Sequence, residues 1–386
     1  MKKRLRILQT NSHRGGWGGQ PNRILMKSIE LTKRGHFVII AVPSGSTLSQ
    51  RAKEQSLPVY DDLAFDRKFK PYEKIEEILK IKNLIETEDI DIVHTHGSQD
   101  TWICAVAGRL AKNKPVIIRT RHNIFPIATH FFNRYLYRRI IDRVIAVSDG
   151  VTEIFEKNGL LPPQEIKIIP SSVDLDRFSP DDVEARETIR REFNIKENET
   201  LIGMVGRFAR EKGHRVLLDA AQKIIENRKD VKFILAGEGP LEEELKNEVK
   251  EKGIADYVIF AGFRKDIPQF LSALDIFTLT PTAGESLGTA ILEAFAMKKP
   301  VVAADLGGVH TSVRDGTTGF LFQPGNSEEL AIKLSRLIED KTLRVKFGEA
   351  GRRMIEEEFT KEKMAEATEE VYFEEFDKKL KRESAK

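Results

Sequence analysis

Short apolar runs alternate with longer stretches of helical spacing along most of this chain. In the first half, Arg6–Gln9, His36–Val42, Asp91–His94, Val116–Arg119, Val144–Val147 and Ile166–Ile169 are dense in Ile, Val and Leu, which predicts strands. Between them, Arg23–Lys33 and Tyr72–Glu86 repeat apolar residues at three- and four-residue intervals, the spacing of an amphipathic helix. The second half repeats the scheme, with strands predicted at Leu201–Val205, Lys232–Leu235, Val258–Phe260, Ile276–Leu279 and Pro300–Ala303. Near-continuous apolar strands are buried on both faces, so helices must cover a parallel sheet. The pattern therefore predicts an α/β protein built as two Rossmann-like halves.

Pro170-Ser171-Ser172-Val173-Asp174, followed by Phe178-Ser179-Pro180, breaks both periodicities and marks the boundary. The expected domains are residues 1–173 and 174–358, with a charged helix over 359–386. No solenoid repeat and no low-complexity linker interrupts them.

A length of 386 residues fits two domains, and 40% hydrophobic residues suffice for their cores. The single cysteine, Cys104, excludes an intramolecular disulfide and fits a reducing compartment. Its neighbours Trp102, Ile103, Ala105 and Val106 mark it as a small buried residue. The start, Met1 to Gln9, has the charges of a signal peptide but too short an apolar run. No stretch has the length and apolarity of a membrane-spanning helix.

The net charge of +3 conceals an asymmetry. Residues 1–173 carry 28 Lys/Arg against 18 Asp/Glu, a net +10; the remainder carries 35 against 42, a net −7. Basic residues crowd into 112–143: Lys112, Lys114, Arg119, Arg121, Arg134, Arg138, Arg139 and Arg143, with Phe125, Phe131, Phe132, Tyr135 and Tyr137 among them. Such a stretch suits an anionic membrane or an acidic acceptor. Arg134 and Arg138 share a helical face, Phe131, Tyr135 and Ile141 offer an apolar side, and the opposing reading is that the aromatics are core. No recognition motif for nucleic acid accompanies the charge.

The most informative chemistry lies in Gly284-Glu285-Ser286-Leu287-Gly288-Thr289-Ala290-Ile291-Leu292-Glu293. Two carboxylates stand eight positions apart. Ser286 reads as an N-cap, so Leu287, Gly288 and Thr289 form a first turn whose unpaired N–H groups suit an anion. Glu293 falls among core residues and needs a donor partner. Upstream, Gly203-Met204-Val205-Gly206-Arg207 lacks the spacing of a dinucleotide fingerprint, and no Walker loop is present. What remains is a loop carrying Arg207 and Lys212, five apart, after a strand. Two cations there suit a diphosphate; a solvated Arg-Glu-Lys turn is the plain alternative.

This constellation resembles the Glu-x7-Glu signature of retaining GT-B glycosyltransferases of the family 4 type. Gly206-Arg207-Phe208-Ala209-Arg210-Glu211-Lys212-Gly213, Ala236-Gly237-Glu238-Gly239-Pro240, Ala261-Gly262-Phe263-Arg264 and Pro300–Gly308 follow in the family's order. The resemblance implies a GT-B fold, two Rossmann-like domains facing across a cleft. Arg207 and Lys212 would neutralise the leaving diphosphate, with Gly206, Ser286, Leu287, Gly288 and Thr289 lining it. Glu293 would face the donor ribose, Glu285 the transferred sugar, and the loop Gly262–Arg264 the base. The glycine-rich loop Gly15-Gly16-Trp17-Gly18 would meet the acceptor, and His122 the sugar's outer hydroxyls.

The implied activity is sugar transfer from a nucleotide sugar to an acceptor hydroxyl, in cell-surface glycan, lipopolysaccharide or glycolipid assembly. The rivals are a non-catalytic sugar-nucleotide-binding protein and a GT-B epimerase or phosphorylase. No cofactor beyond the nucleotide-sugar co-substrate is implied. No metal site is expected either: Asp89-Ile90-Asp91 is read as solvated, and His94 and His96, on one strand face, lack further ligands. The expected location is the cytosol, at the inner face of the cell membrane. Two departures from the family stand out. Ser286-Leu287-Gly288 replaces Gly-Phe-Gly, and Gly307-Gly308-Val309-His310-Thr311 places Thr311 where relatives carry a carboxylate.

Overall fold

Thirteen strands form two parallel sheets in the computed structural model, which describes residues 3–15, 18–66, 70–180 and 182–385. The chain divides into two units, residues 1–171 with 361–386, and residues 172–360.

In the first unit the strands are β1 (Arg6–Thr10), β2 (Phe37–Pro43), β3 (Val59–Leu63), β4 (Ile92–Thr95), β5 (Val116–Arg121), β6 (Arg143–Ala146) and β7 (Ile166–Ile168). Their order is β3-β2-β1-β4-β5-β6-β7, all parallel. The order reverses between β1 and β4, so the loops leaving those strands diverge and open a crevice at the carboxyl edge. The pattern missed β3, because Val59-Tyr60-Asp61-Asp62-Leu63 is an edge strand with two exposed or half-buried carboxylates and little apolar signal.

The helix Gly19–Lys33 follows the glycine loop and is buried along most of its length. The terminal helix Lys361–Ser384 packs on this unit, with Met364, Val371, Tyr372 and Phe376 in a cluster with Leu5, Ile7, Met26, Leu31 and Ile118. Arg34 and His36 hold it by hydrogen bonds to Glu369, which together push that carboxyl down to about 2.

The second unit contains β8 (Thr200–Val205), β9 (Val231–Ala236), β10 (Val258–Gly262), β11 (Ile276–Leu279), β12 (Val301–Ala304) and β13 (Gly319–Phe322), in the parallel order β10-β9-β8-β11-β12-β13. Its reversal lies between β8 and β11. β13 opens on Gly319 and directly follows the turn residues Gly316-Thr317-Thr318, so the sequence pattern does not mark it as a strand. Arg186 and Arg190 bond Asp275 at the start of β11 and nearby carbonyls, which fixes the strand's near end. Cys104 is fully buried, as its neighbours predict.

Candidate active site

The loops after β8 and β11 meet at the switch point of the second sheet. After β8 the chain runs Gly206–Ala209, makes a short 3-10 turn Arg210–Lys212, and enters the helix His214–Asn227 through Gly213. Gly213 has φ 66°, and a Cβ there would stand 1.9 Å from the Thr280 carbonyl oxygen. Only glycine lets the two loops approach so closely. Thr280 Oγ1 donates to the carbonyls of Lys212 and Gly213 at 3.3 and 3.0 Å, and Thr282 N–H donates to Glu211 O at 3.0 Å. The loop after β9 closes the other side. Phe208 N–H donates to Glu238 O at 3.0 Å, and a Cβ on Gly237 would lie 2.0 Å from Gly206 O.

This scaffold brings Lys212 and Glu285, 73 residues apart, into contact at 2.7 Å. The other carboxylate oxygen of Glu285 accepts from Gly288 N–H at 3.1 Å. A buried carboxylate with a cation and a backbone donor is fixed in orientation and satisfied. Arg207 is exposed, and no hydrogen bond or ion pair of its side chain occurs among the described residues.

The helix runs Thr289–Ala296, two residues later than the N-cap expected at Ser286 allows. Gly288 is the N-cap, with φ 73°, a left-handed conformation that cannot continue a helix. Leu287 is buried in the core, so it contributes only backbone. The N–H groups at this helix end that could meet an anion are therefore those of Thr289 and Ala290, because Gly288 N–H is already taken by Glu285.

Glu293 lies one turn into this helix and is half-buried. No side-chain donor bonds it among the described residues. Burial pushes its carboxyl up to about 7, and the Arg177 guanidinium offsets this only in part. The donor partner that the sequence demands is thus not supplied by the fold around it.

Arg264 stands on the loop after β10, but its guanidinium is held by Glu192 and Asp266 at 2.5 Å each, which raises its pKa. What this loop leaves open is Phe263, 62% exposed, next to Gly262 at φ 66°. Phe263 was not singled out from the sequence, where one aromatic in a turn carries no signal. On the loop after β12, Ser312 Oγ donates to Leu287 O at 2.5 Å and ties that loop to the segment before the helix Thr289–Ala296.

In the first unit, His122 follows β5 and is half-buried, with Nε2 2.8 Å from His96 Nδ1. His94 lies on β4 and His96 one residue past its end, on the same side, and their rings stack at 4.4 Å. Gly15 and Gly18 border the switch point of this sheet, and a Cβ at either would meet nothing within 4 Å. Gly16 and Trp17 lie outside the described residues. Asp91 is not solvated as its motif suggested: it accepts from Lys3 Nζ and Arg6 N–H at 2.9 Å each, and so anchors the start of β1.

The aromatic, basic stretch divides. Phe125, Phe131, Phe132 and Tyr135 are 51–73% exposed, whereas Tyr137 and Ile141 are buried. Ile141 is therefore core and not part of an exposed apolar side. The helix Phe131–Tyr135 widens into a π-helical turn, Leu136–Ile140, which breaks the simple four-residue register. Arg134 and Arg138 donate to carbonyls at one edge and remain exposed; Arg119 and Arg121 are interior.

Two family models match this chain, glycosyl transferases group 1 over residues 185–354 and glycosyltransferase family 4 over residues 17–177. The chain belongs to the group 1, family 4 glycosyltransferases. It is 29% identical over 282 residues to the UDP-Gal:alpha-D-GlcNAc-diphosphoundecaprenol alpha-1,3-galactosyltransferase of Escherichia coli, covering 70% of this chain and 72% of that one. It is 28% identical to a GDP-mannose-dependent alpha-(1-6)-phosphatidylinositol monomannoside mannosyltransferase of Mycobacterium tuberculosis, covering 71% and 73%.

Among solved structures, a glycosyltransferase from Rickettsia africae superposes with TM-score 0.88 at 24% identity, covering 97% of this chain and 99% of that one. Anabaena HepE, solved with UDP and glucose, gives 0.82 at 22%, covering 95% and 99%. The fold is GT-B, and the chain is a nucleotide-sugar glycosyltransferase. Family motifs made Arg207, Lys212, Glu285 and Glu293 visible in advance. The same motifs include Gly213 but do not mark Thr280 and Thr282, which join it in holding two of those residues together.

Proposed function

We propose that this glycosyltransferase is a retaining enzyme that moves a sugar from a nucleotide-sugar donor held by the second unit to the hydroxyl of a lipid-linked or surface-glycan acceptor. The observation that carries the donor assignment is the convergence at the β8/β11 switch point: an exposed Arg207, the fixed Lys212–Glu285 pair, an open helix end at Thr289, and Glu293 without a protein donor. A diphosphate fits the two cations and the helix N-terminus. A ribose diol fits Glu293, because it supplies the hydroxyl donors that the carboxylate lacks. Phe263 offers an open ring on which a base can stack.

Negative charge grows on the leaving diphosphate as the glycosidic bond breaks. Pre-oriented cations and N–H groups stabilise that charge more than they stabilise the ground state. Lys212 is already oriented by Glu285, so little reorganisation accompanies the step. Retention follows from the resemblance in the Glu-x7-Glu segment: attack on the face the diphosphate leaves, with a donor phosphate oxygen taking the acceptor's proton, needs no separate protein base. Gly15 and Gly18 are assigned to the acceptor side, and His122 to the sugar's outer hydroxyls. No metal or further cofactor takes part in this scheme.

The acceptor's lipid character rests on the exposed Phe125, Phe131, Phe132 and Tyr135 beside Arg134, Arg138 and Arg139. Aromatic rings and cations on one surface suit the interface of an anionic membrane. No helix among the described residues is long and apolar enough to cross one. Peripheral attachment at the inner leaflet is the matching arrangement, and the relatives named for undecaprenol- and phosphatidylinositol-linked substrates agree with it.

The decisive assay supplies candidate nucleotide sugars and acceptors and follows both products. Free nucleoside diphosphate should appear in step with a glycoside that keeps the donor's anomeric configuration. An inverted product refutes retention, and binding without any transfer favours a non-catalytic nucleotide-sugar protein.

A further inference from the structure

The first unit holds a polar cluster for which the donor chemistry has no use. Lys27, on the helix Gly19–Lys33, is fully buried. Its Nζ lies 3.2 Å from His94 Nδ1 and 3.1 Å from His96 Nε2. His96 Nδ1 lies 2.8 Å from His122 Nε2. Lys27, His96 and His122 thus form a continuous file of nitrogens from the buried lysine to the half-buried ring of His122, just beyond the end of β5. Around them, His94 meets Tyr372 OH and Thr120 Oγ1 at 2.6 Å each. Gln9 bridges Tyr372 OH at 2.8 Å and His96 Nε2 at 3.0 Å.

Valence couples the members of this file. A neutral imidazole has one N–H and one lone pair. When the Lys27 ammonium donates to His96 Nε2, His96 must carry its proton on Nδ1. It then donates to His122 Nε2, and His122 holds its own proton on Nδ1. When Lys27 is instead the neutral amine and accepts from His96 Nε2–H, each proton sits one place over and His122 is protonated on Nε2. Gln9 Oε1, 3.0 Å from His96 Nε2, accepts from it in the second arrangement; in the first the amide turns, and its N–H shares the one lone pair of His96 Nε2 with Lys27.

We propose that Lys27 is a positioning residue for His122, setting through His96 which ring nitrogen of His122 carries the proton. This rests on the reading of His122 as a group that faces sugar hydroxyls, where the tautomer decides whether the ring donates to a hydroxyl or accepts from it.

The charged surroundings favour neutral rings. Arg23 comes from the same helix as Lys27, and Arg119 and Arg121 come from β5; all three are buried. Tyr372 comes from the terminal helix. The carboxylate of Asp100, from the helix Ser98–Leu110, accepts from Thr10 Oγ1 at 2.7 Å and from His96 N–H at 3.0 Å, on the backbone side of the file. Burial first, and then the cations, hold His94, His96 and His122 well below the usual imidazole value. Burial and Arg23 likewise depress Lys27. Removing the Lys27 charge takes away one repulsive neighbour, so the rings should protonate at higher pH.

The test labels histidine with 15N in the full chain and assigns His122 through His122→Gln. Long-range 1H–15N spectra report the tautomer directly. Wild-type protein should show one tautomer at His122, and a wild-type His122 that averages both overturns the proposal without any variant. In Lys27→Met, which keeps volume and removes both charge and hydrogen bonding, the tautomer should change or become mixed.

The acid limb of kcat should then move to higher pH. At the optimum, kcat should fall about tenfold with donor KM within about twofold, the order expected when one hydrogen bond to a charged group is lost. A folded Lys27→Met with an unaltered His122 tautomer and titration refutes the role of Lys27. An altered tautomer with an unaltered pH–rate profile keeps that role and removes His122 from the reaction instead.

Discussion

Replacing Glu293 with glutamine removes a carboxylate that the fold buries without a donor. In the unfolded chain this group titrates near 4.5; in the folded protein burial raises it to about 7. A folded-state value above the unfolded one means that folding favours the protonated form. Its stabilising contribution is complete below pH 4.5 and is lost as pH rises through 7. Each pH unit in that window costs about 1.4 kcal/mol, so the full effect approaches about 3 kcal/mol, an upper bound because the side chain keeps some contact with water.

Glutamine keeps the shape and never ionises. Glu293→Gln should therefore gain on wild type by about 2.5 kcal/mol between pH 5 and pH 8, whatever constant difference in packing it carries. The second unit contains neither Trp17 nor Trp102, so urea unfolding should be followed by circular dichroism. Binding should move the other way. Loss of a charged acceptor for the ribose hydroxyls should weaken nucleoside diphosphate by about tenfold or more, measured by calorimetry. A stability difference that is flat between pH 5 and pH 8 refutes the titration argument, and unchanged nucleotide affinity refutes the assignment of Glu293 to the donor.

Arg207→Ala and Lys212→Ala should each lower turnover about a hundredfold or more through lost stabilisation of the leaving group. Lys212→Ala should also destabilise the fold, since it leaves Glu285 buried without its cation, and steady-state kinetics beside a melting curve separates the two effects. Gly213→Ala should cost at least about 2–3 kcal/mol, because its Cβ cannot coexist with the Thr280 carbonyl at 1.9 Å; stability near wild type contradicts the close approach of the two loops. EDTA should leave activity within about twofold, and an all-or-none need for Mg2+ or Mn2+ contradicts the metal-free scheme. Anionic vesicles should sediment the protein at low salt and release it at high salt; binding unchanged in Arg134→Glu/Arg138→Glu/Arg139→Glu leaves those arginines to the acceptor.

Much of this protein is decided locally and is legible in its sequence. Strands such as Phe37–Pro43 and Val301–Ala304 are apolar on both faces, so their burial under helices follows from composition over a few residues. The donor motifs are equally local: Arg207 and Lys212 share one loop, and Glu285 and Glu293 share one loop-to-helix segment. Tertiary structure decided what depends on partners distant in the chain. The true start of the helix at Thr289 turns on the left-handed Gly288 and on the carboxylate of Glu285, which outweigh the capping propensity of Ser286.

Burial also separated Ile141 from Phe131 and Tyr135, which periodicity had grouped together. The Lys27 file gave one faint local sign, since Arg23 and Lys27 fall on the same stripe as the fully buried Leu31. Its remaining members come from β1, β4, β5 and the terminal helix, and Gln9 meets Tyr372 across 363 positions. A local pattern records how a residue suits its own helix or strand. A proton shared between side chains depends on which elements the sheet order brings together, and that order follows from packing the whole core at once.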